Sequence, residues 1–235
     1  MNQDLAAAIF DVDGVLLASP HERAWREALA GYVAPERLTT AIYQAHVAGK
    51  PRLNGALAVL EHLGVPDAKR KAGVYAERKQ KRLETLIRAG NFTAFPDALH
   101  FVQAIRVLGW PIAVASSSRN ANPMLQAIRL DSGPTLLDVF TVNVCGRELP
   151  RGKPDPAMFL LAAAELRRPP AACLVVEDSP AGIEAACAGG MTALGVARLH
   201  DADLLWAAGA DVVVTSLDEI AIDELAAGRL SLRPA

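Results

Sequence analysis

The 235-residue sequence predicts an α/β fold, a parallel sheet covered by helices and interrupted by an inserted α-helical cap. Three observations carry that expectation. Short apolar runs alternate with helix-like segments over residues 92–235, the pattern of successive βαβ units. One more apolar run, Leu5–Phe10, stands apart near the start and stops at Asp11-Val12-Asp13-Gly14. The segment between reads as almost wholly helical from about 20 to 90 and therefore as an insertion. The expected division is a core of residues 1–16 and 92–235, with a cap at 17–91.

The elements follow from local chemistry. Leu5–Phe10 is six apolar residues closed by a charge and a glycine, which suits a buried strand ending at a sheet edge. Pro20-His21-Glu22 opens a helix through Leu29, with Trp25 and Leu29 four apart on one face. Thr39–Val47 reads as a second helix, and Gly49-Lys50-Pro51-Arg52 breaks it, since glycine and proline both interrupt helices. Gly55–Leu63 resumes helical spacing, and Asp67–Arg88 is a long basic helix closed by Gly90 and Asn91. Beyond the insertion, helices are expected at Ala98–Leu108, Asn120–Ile128, Pro156–Leu166 and Pro180–Ala188, with a terminal helical segment. Strands are expected at Pro111–Ala115, Val139–Val144, Ala172–Val176, Thr192–Val196 and Asp211–Val214, where apolar and β-branched residues concentrate. The result is a doubly wound, Rossmann-like core.

Composition narrows the class of partner. Apolar residues make up 51%, enough for a core, and 24 Lys+Arg against 26 Asp+Glu leave a net charge of -2. Such a balance gives no electrostatic reason to bind nucleic acid or an anionic membrane. Cys145, Cys173 and Cys187 are widely spaced and suit structural thiols in a reducing compartment. No apolar stretch approaches the ~18 residues of a spanning helix, and no signal-type segment opens the chain. A cytoplasmic monomer is expected.

Three apolar runs end in compact polar signatures: Asp11-Val12-Asp13, Ser116-Ser117-Ser118 and Glu177-Asp178-Ser179. A fourth polar element is Gly152-Lys153-Pro154-Asp155-Pro156. Residues i and i+2 of an extended segment share a face, so Asp11 and Asp13 point the same way. Taken alone, Asp-Gly also suits a plain polar turn. Ligands of open parallel sheets collect beyond the carboxyl ends of the strands, where the three signatures would fall if their strands are neighbours, while the prolines of the fourth element fix a loop and hold Lys153 off any helix. There a carboxylate could attack an electrophile and form a covalent intermediate. Phosphoryl transfer calls for a divalent cation and fixed donors. Asp11 and Asp178 could ligate Mg2+, Lys153 would offset the remaining negative charge, Ser116 would donate to a phosphoryl oxygen, and Asp13 could manage the proton.

These four elements resemble, in the same order, the four motifs of the haloacid dehalogenase (HAD) superfamily. The resemblance implies that Asp11 becomes an aspartyl phosphate and that Asp13 is the general acid/base, lending its backbone carbonyl to Mg2+. It likewise makes Asp178 a direct metal ligand and gives Glu177 a role at the metal through water. The second aspartate, Asp13, sets the chain apart from the carbon–halogen and phosphonate-cleaving branches, which lack it.

The insertion is further similar to the cap of the β-phosphoglucomutase family. His21-Glu22-Arg23-Ala24-Trp25 matches a His-x-Arg-Ala-Trp motif, Gly49-Lys50-Pro51-Arg52 a Gly-x-x-Arg loop, and Lys79 a lysine of the last cap helix. Ser116-Ser117-Ser118-Arg119-Asn120 departs from that family's Ser-x-Ser-Lys-Asn only by arginine for lysine. The resemblance implies substrate contacts from His21, Arg52, Lys79, Ser118, Arg119 and Asn120, with a small phosphorylated metabolite as partner. His21 equally suits a helix start, and Lys79, among Arg78, Lys81 and Arg82, equally suits a solvated helix face. A hydrolase of sugar or polyol phosphates would share the same core. A phosphosugar sensor would have no need of both Asp11 and Asp13.

Overall fold

In the computed structural model, which describes residues 4–130 and 133–234, strand β1 (Ala7–Phe10) enters the middle of the molecule and is buried on both faces. The chain leaves it through a short strand, β2 (Leu17–Ala18), into α1 (His21–Glu27), α2 (Thr40–His46), α3 (Arg52–His62) and α4 (Ala68–Arg88). It returns through β3 (Thr93–Ala94), which pairs antiparallel with β2. Both crossings between sheet and insertion are thus tied into one small ribbon. Then follow α5 (Pro96–Val107), β4 (Ile112–Val114), α6 (Ala121–Ala127), β5 (Val142–Asn143), α7 (Ala157–Glu165), β6 (Cys173–Glu177) and α8 (Pro180–Ala188). The last elements are β7 (Thr192–Val196), α9 (Ala202–Ala207), β8 (Val212–Val214) and α10 (Ile222–Ala226).

The main sheet has the order β5-β4-β1-β6-β7-β8, and every pairing is parallel. Parallel strands covered on both faces read as continuous apolar runs, as Cys173–Val176 and Ala7–Phe10 do. Alternation along β1 sorts the two layers: Ala8 and Phe10 join the cluster beneath α5, while Ala7 and Ile9 join the one beneath α7 and α8. Phe10 packs edge-on against Phe101 and Phe140, with ring centroids 6.0 and 5.9 Å apart, each worth about 0.5–1.5 kcal/mol beyond area burial. The insertion has its own core of Trp25, Leu29, Leu38, Val59, Leu60 and Tyr75.

From β1 the sheet grows one way through β4 and β5 and the other way through β6, β7 and β8. The strands that carry the three polar signatures, β4, β1 and β6, are therefore immediate neighbours at the point of reversal, where ligands of such sheets bind.

Several boundaries differ from the sequence reading. The strand expected at Val139–Val144 shrinks to Val142–Asn143, because Leu137–Val139 closes into a 3-10 turn before the chain comes alongside β4 as β5. Arg52 is the first residue of α3, with Pro51 as its cap, rather than part of an extended break. Helix α9 and the β2–β3 ribbon were not expected, being too short to show a periodic pattern. Among the described residues no helix is long and apolar enough to cross a membrane.

Candidate active site

Asp11 follows β1 directly, and its N–H donates to the Val176 carbonyl of β6 at 3.0 Å while Ala115 N–H donates to the Phe10 carbonyl at 2.8 Å. The carboxylate is therefore fixed between two neighbouring strands. A tight turn follows, with the N–H groups of Leu16 and Leu17 both donating to the Val12 carbonyl. Gly14 adopts φ +83°, a conformation that favours glycine, and a Cβ there would overlap the Asp178 carboxylate. Glycine is what lets Asp178 come up against the Asp11–Asp13 turn.

The Glu177-Asp178-Ser179 signature is a linked set. Glu177 is fully buried; its Oε2 accepts from the N–H groups of Asp178 and Ser179 at 2.8 and 2.9 Å and from Ser179 Oγ at 2.9 Å. Its Oε1 accepts from Lys153 Nζ. Ser179 caps α8 by accepting from Gly182 N–H at 3.2 Å, and Gly182 lacks the Cβ that would collide with Glu177. Both Glu177 oxygens are engaged, so this residue positions Lys153 and the Asp178 backbone instead of facing the cavity.

Lys153 is 2% exposed, and its ammonium also donates to Asp11 Oδ1 at 2.6 Å. Burial alone would push this ammonium down, but the carboxylates of Asp11 and Glu177 outweigh it and hold Lys153 above its ordinary value. Burial pushes the Asp11 carboxyl up to about 7; Lys153 opposes the shift and the charges of Glu177 and Asp13 add to it. Asp178 is driven well above the usual carboxylate range, by burial first and then by Glu177 and Asp11. One lysine thus falls short of balancing the carboxylates gathered here.

A divalent cation fits that shortfall. Asp13 Oδ1 is buried without a hydrogen-bond partner, and the Gly14 gap admits Asp178 beside Asp11. No three acidic, histidine or cysteine side chains among the described residues form a closed cage. Magnesium does not require one, since it takes one or two carboxylates, keeps waters and leaves places for phosphate oxygens.

Ser116 follows β4 and is buried; its Oγ accepts from Ser118 N–H at 3.1 Å, and Ser118 Oγ accepts from Asn120 N–H at 3.2 Å. Across from this loop stands the insertion. Gln80 Nε2 donates to Asn120 Oδ1 at 3.2 Å, and Gly49 presses on Ser179 so closely that a Cβ would strike its hydroxyl. Deeper in the same junction, Gln44 Nε2 donates to Asp201 Oδ2 at 2.8 Å, a buried bond between α2 and the loop after β7.

His21 places Nε2 3.5 Å from Asp13 Oδ2, while Lys79 Nζ lies 3.3 Å from its Nδ1. Since an ammonium can only donate, Nδ1 accepts from Lys79, which leaves the ring hydrogen on Nε2, a buried atom without a hydrogen-bond partner. Burial holds His21 down to about 4, with Asp13 opposing and Lys79 adding, so this contact is not an ion pair near neutral pH. Lys79 is 3% exposed, not on a solvated face, and its ammonium sits 4.9 Å over the Trp25 ring. Burial lowers it to about 7, Asp13 opposing and Arg52 adding.

A cavity of about 560 Å³ gathers Asp11, Asp13, Ser116, Lys153 and Asp178 from the sheet with His21, Arg52 and Lys79 from the insertion. Ser118, Arg119 and Asn120 line it too, so of the expected site residues Glu177 alone is set back behind the wall. Sequence reasoning did not single out Tyr43, Gln80 or Glu84, which also line it. Gln80 adjoins Lys79 within Glu77-Arg78-Lys79-Gln80, the one signal that could have found it.

This fold and this carboxylate–lysine site define a haloacid dehalogenase-like hydrolase, and the model of that family matches residues 5–190: the chain belongs to it. A β-phosphoglucomutase of Mycobacterium bovis is 32% identical over 93% of this chain and 92% of its own length. A phosphorylated carbohydrates phosphatase of Thermotoga maritima is 30% identical over 89% of this chain and 94% of its own. Among solved structures, an archaeal β-phosphoglucomutase from Pyrococcus sp. strain ST 04 superimposes with a TM-score of 0.72 at 31% identity, covering 93% of this chain and 96% of that one. The chain is an enzyme of the phosphotransferase and phosphatase kind, related to proteins that act on phosphorylated sugars.

Proposed function

We propose that this enzyme transfers a phosphoryl group on a small phosphorylated sugar through an aspartyl phosphate at Asp11, in the manner of a β-phosphoglucomutase. The observation that supports this most is a single cavity with a buried carboxylate end, Asp11 held by Lys153, and an exposed arginine rim, Arg52 and Arg119. A mutase must grip two phosphates, one at the reacting carboxylate and one at the far end of the sugar. Arginine suits the far end because its planar fork makes paired contacts with phosphate.

In this reading an Asp11 carboxylate oxygen attacks phosphorus. The bond from phosphorus to the sugar oxygen breaks as Asp13, in its acid form, gives that oxygen its proton. In the second half, a sugar hydroxyl gives its proton to the Asp13 carboxylate and takes the phosphoryl group, releasing Asp11. His21, neutral, stands beside that carboxyl with Nε2 3.5 Å from Asp13 Oδ2. Ser116 donates to a phosphoryl oxygen, and Lys153 offsets the charge that Asp11 and phosphate bring together. Mg2+, held by Asp11, Asp178 and the Asp13 carbonyl, would supply the remaining positive charge to the phosphoryl oxygens. In this reading the enzyme acts as a cytoplasmic monomer in which Cys145, Cys173 and Cys187 remain thiols.

Hydrolysis is the second reading, favoured by the Thermotoga maritima relative named as a phosphatase. The two differ only in whether a sugar hydroxyl or water accepts the group. β-Glucose 1-phosphate with a trace of glucose 1,6-bisphosphate and Mg2+ separates them. Formation of glucose 6-phosphate is expected; release of inorganic phosphate alone would replace the mutase with the hydrolase.

A further inference from the structure

The two arginines of the rim are each matched by a carboxylate on their own side of the cavity. Arg52, at the start of α3, pairs with Glu77 of α4 at 3.4 Å, wholly within the insertion. Arg119, after β4, pairs with Glu148 at 2.6 Å, wholly within the sheet domain. Neither pair crosses the cleft. We propose that Glu77 and Glu148 are specificity gates: they occupy the rim arginines until a ligand with a second, distal phosphate displaces both.

This inference rests on the reading of Arg52 and Arg119 as the distal clamp. A distal phosphate lying between them would exchange two separate carboxylates for one shared dianion, so that the same event binds the ligand and adds a contact between insertion and sheet at the rim. A ligand with one phosphate, seated at Asp11, leaves both pairs intact and gains nothing from closing the rim. Magnitudes permit the exchange. The side chains of Arg52 and Glu77 are 43% and 63% exposed, those of Arg119 and Glu148 74% and 85%. Exposed pairs of this kind are weak, whereas paired arginine–phosphate contacts are among the stronger hydrogen bonds. Each carboxylate is therefore strong enough to weaken distal binding a few-fold and too weak to prevent it.

Glu84 provides the control. It lines the same cavity but is bonded to Gln80, its Oε1 accepting from Gln80 Nε2 at 2.8 Å, and not to an arginine. A diffuse effect of negative charge would act through Glu84 as well; a gate would not.

The test is calorimetric binding of glucose 1,6-bisphosphate and of inorganic phosphate to the full chain. In Glu77→Gln and in Glu148→Gln, the Kd for bisphosphate should fall about two- to fivefold relative to that for phosphate. In the double variant the two factors should multiply, because the pairs lie in different halves. Unchanged or weaker bisphosphate binding in both variants would overturn the gate, as would an equal gain in Glu84→Gln. Arg52→Gln and Arg119→Gln separate the levels. If they bind bisphosphate like the parent chain, the clamp itself is wrong; if they bind it weakly while the glutamate variants change nothing, only the gate falls.

Discussion

Asp178 occupies the space that a side chain at residue 14 would fill: a Cβ on Gly14 would overlap its carboxylate. The turn after β1 and the turn after β6 are thus fitted to each other through a missing methyl group. Gly14→Ala should be doubly unfavourable, straining a backbone at φ +83° and pushing Asp178 away. We expect turnover to fall at least about tenfold and the Mg2+ concentration for half-maximal activity to rise, with the larger effect on Mg2+ dependence. A Mg2+ titration of initial rates checks this.

Among the described residues, Lys153 is the sole cation bonded to both Asp11 and Glu177. Lys153→Met would leave those buried carboxylates facing one another. Removing one partner of a buried pair costs about 3–5 kcal/mol. Urea denaturation near pH 7 should show a loss of that order. Added Mg2+ should recover part of it, since a ligand of the native state stabilises it by mass action. A variant as stable as the parent would show that the carboxylates need no such counter-charge.

Lys79 links stability to pH. Burial lowers its pKa to about 7, whereas an unfolded lysine keeps its proton up to about 10.4. Below pH 7 the folded chain must bury an ammonium, and the penalty is complete. Between 7 and about 10.4 the folded lysine is neutral while the unfolded one is charged, so the penalty shrinks as pH rises. Lys79→Met should therefore gain stability over the parent mostly below pH 7, by roughly 3–10 °C, and lose that advantage toward pH 10. Melting curves across this range decide it; a difference independent of pH would place the lysine elsewhere than in a buried setting.

The sequence showed most clearly what is local. Leu5–Phe10 announces a buried strand because parallel strands are apolar throughout; Asp11, Asp13 and Asp178 announce themselves in the polar signatures that close apolar runs, and Lys153 by its place between a glycine and a proline in a loop. Family likeness added His21, Arg52 and Lys79, but not their states. Lys79 in the sequence looks like one charge among several; only the packing of α4 on α1 distinguishes it, burying Lys79 over Trp25 while Arg82 stays out. Arg52 pairing with Glu77 and Gln44 meeting Asp201 are contacts between distant segments, and no periodicity encodes them. Glu177 shows a further limit. Its place in the motif suggests a group at the metal, whereas its hydrogen bonds spend both oxygens on Lys153 and on the backbone of its own turn.

Everything proposed for the reaction depends on phosphorus reaching Asp11. Rapid quenching of the enzyme after mixing with glucose 1,6-bisphosphate and Mg2+, followed by peptide mass analysis, tests this directly. A phosphate's added mass on the peptide containing Asp11, absent in Asp11→Asn together with at least about 1000-fold of the turnover, is the predicted result. Phosphate carried on another residue, or turnover retained in Asp11→Asn, would contradict it.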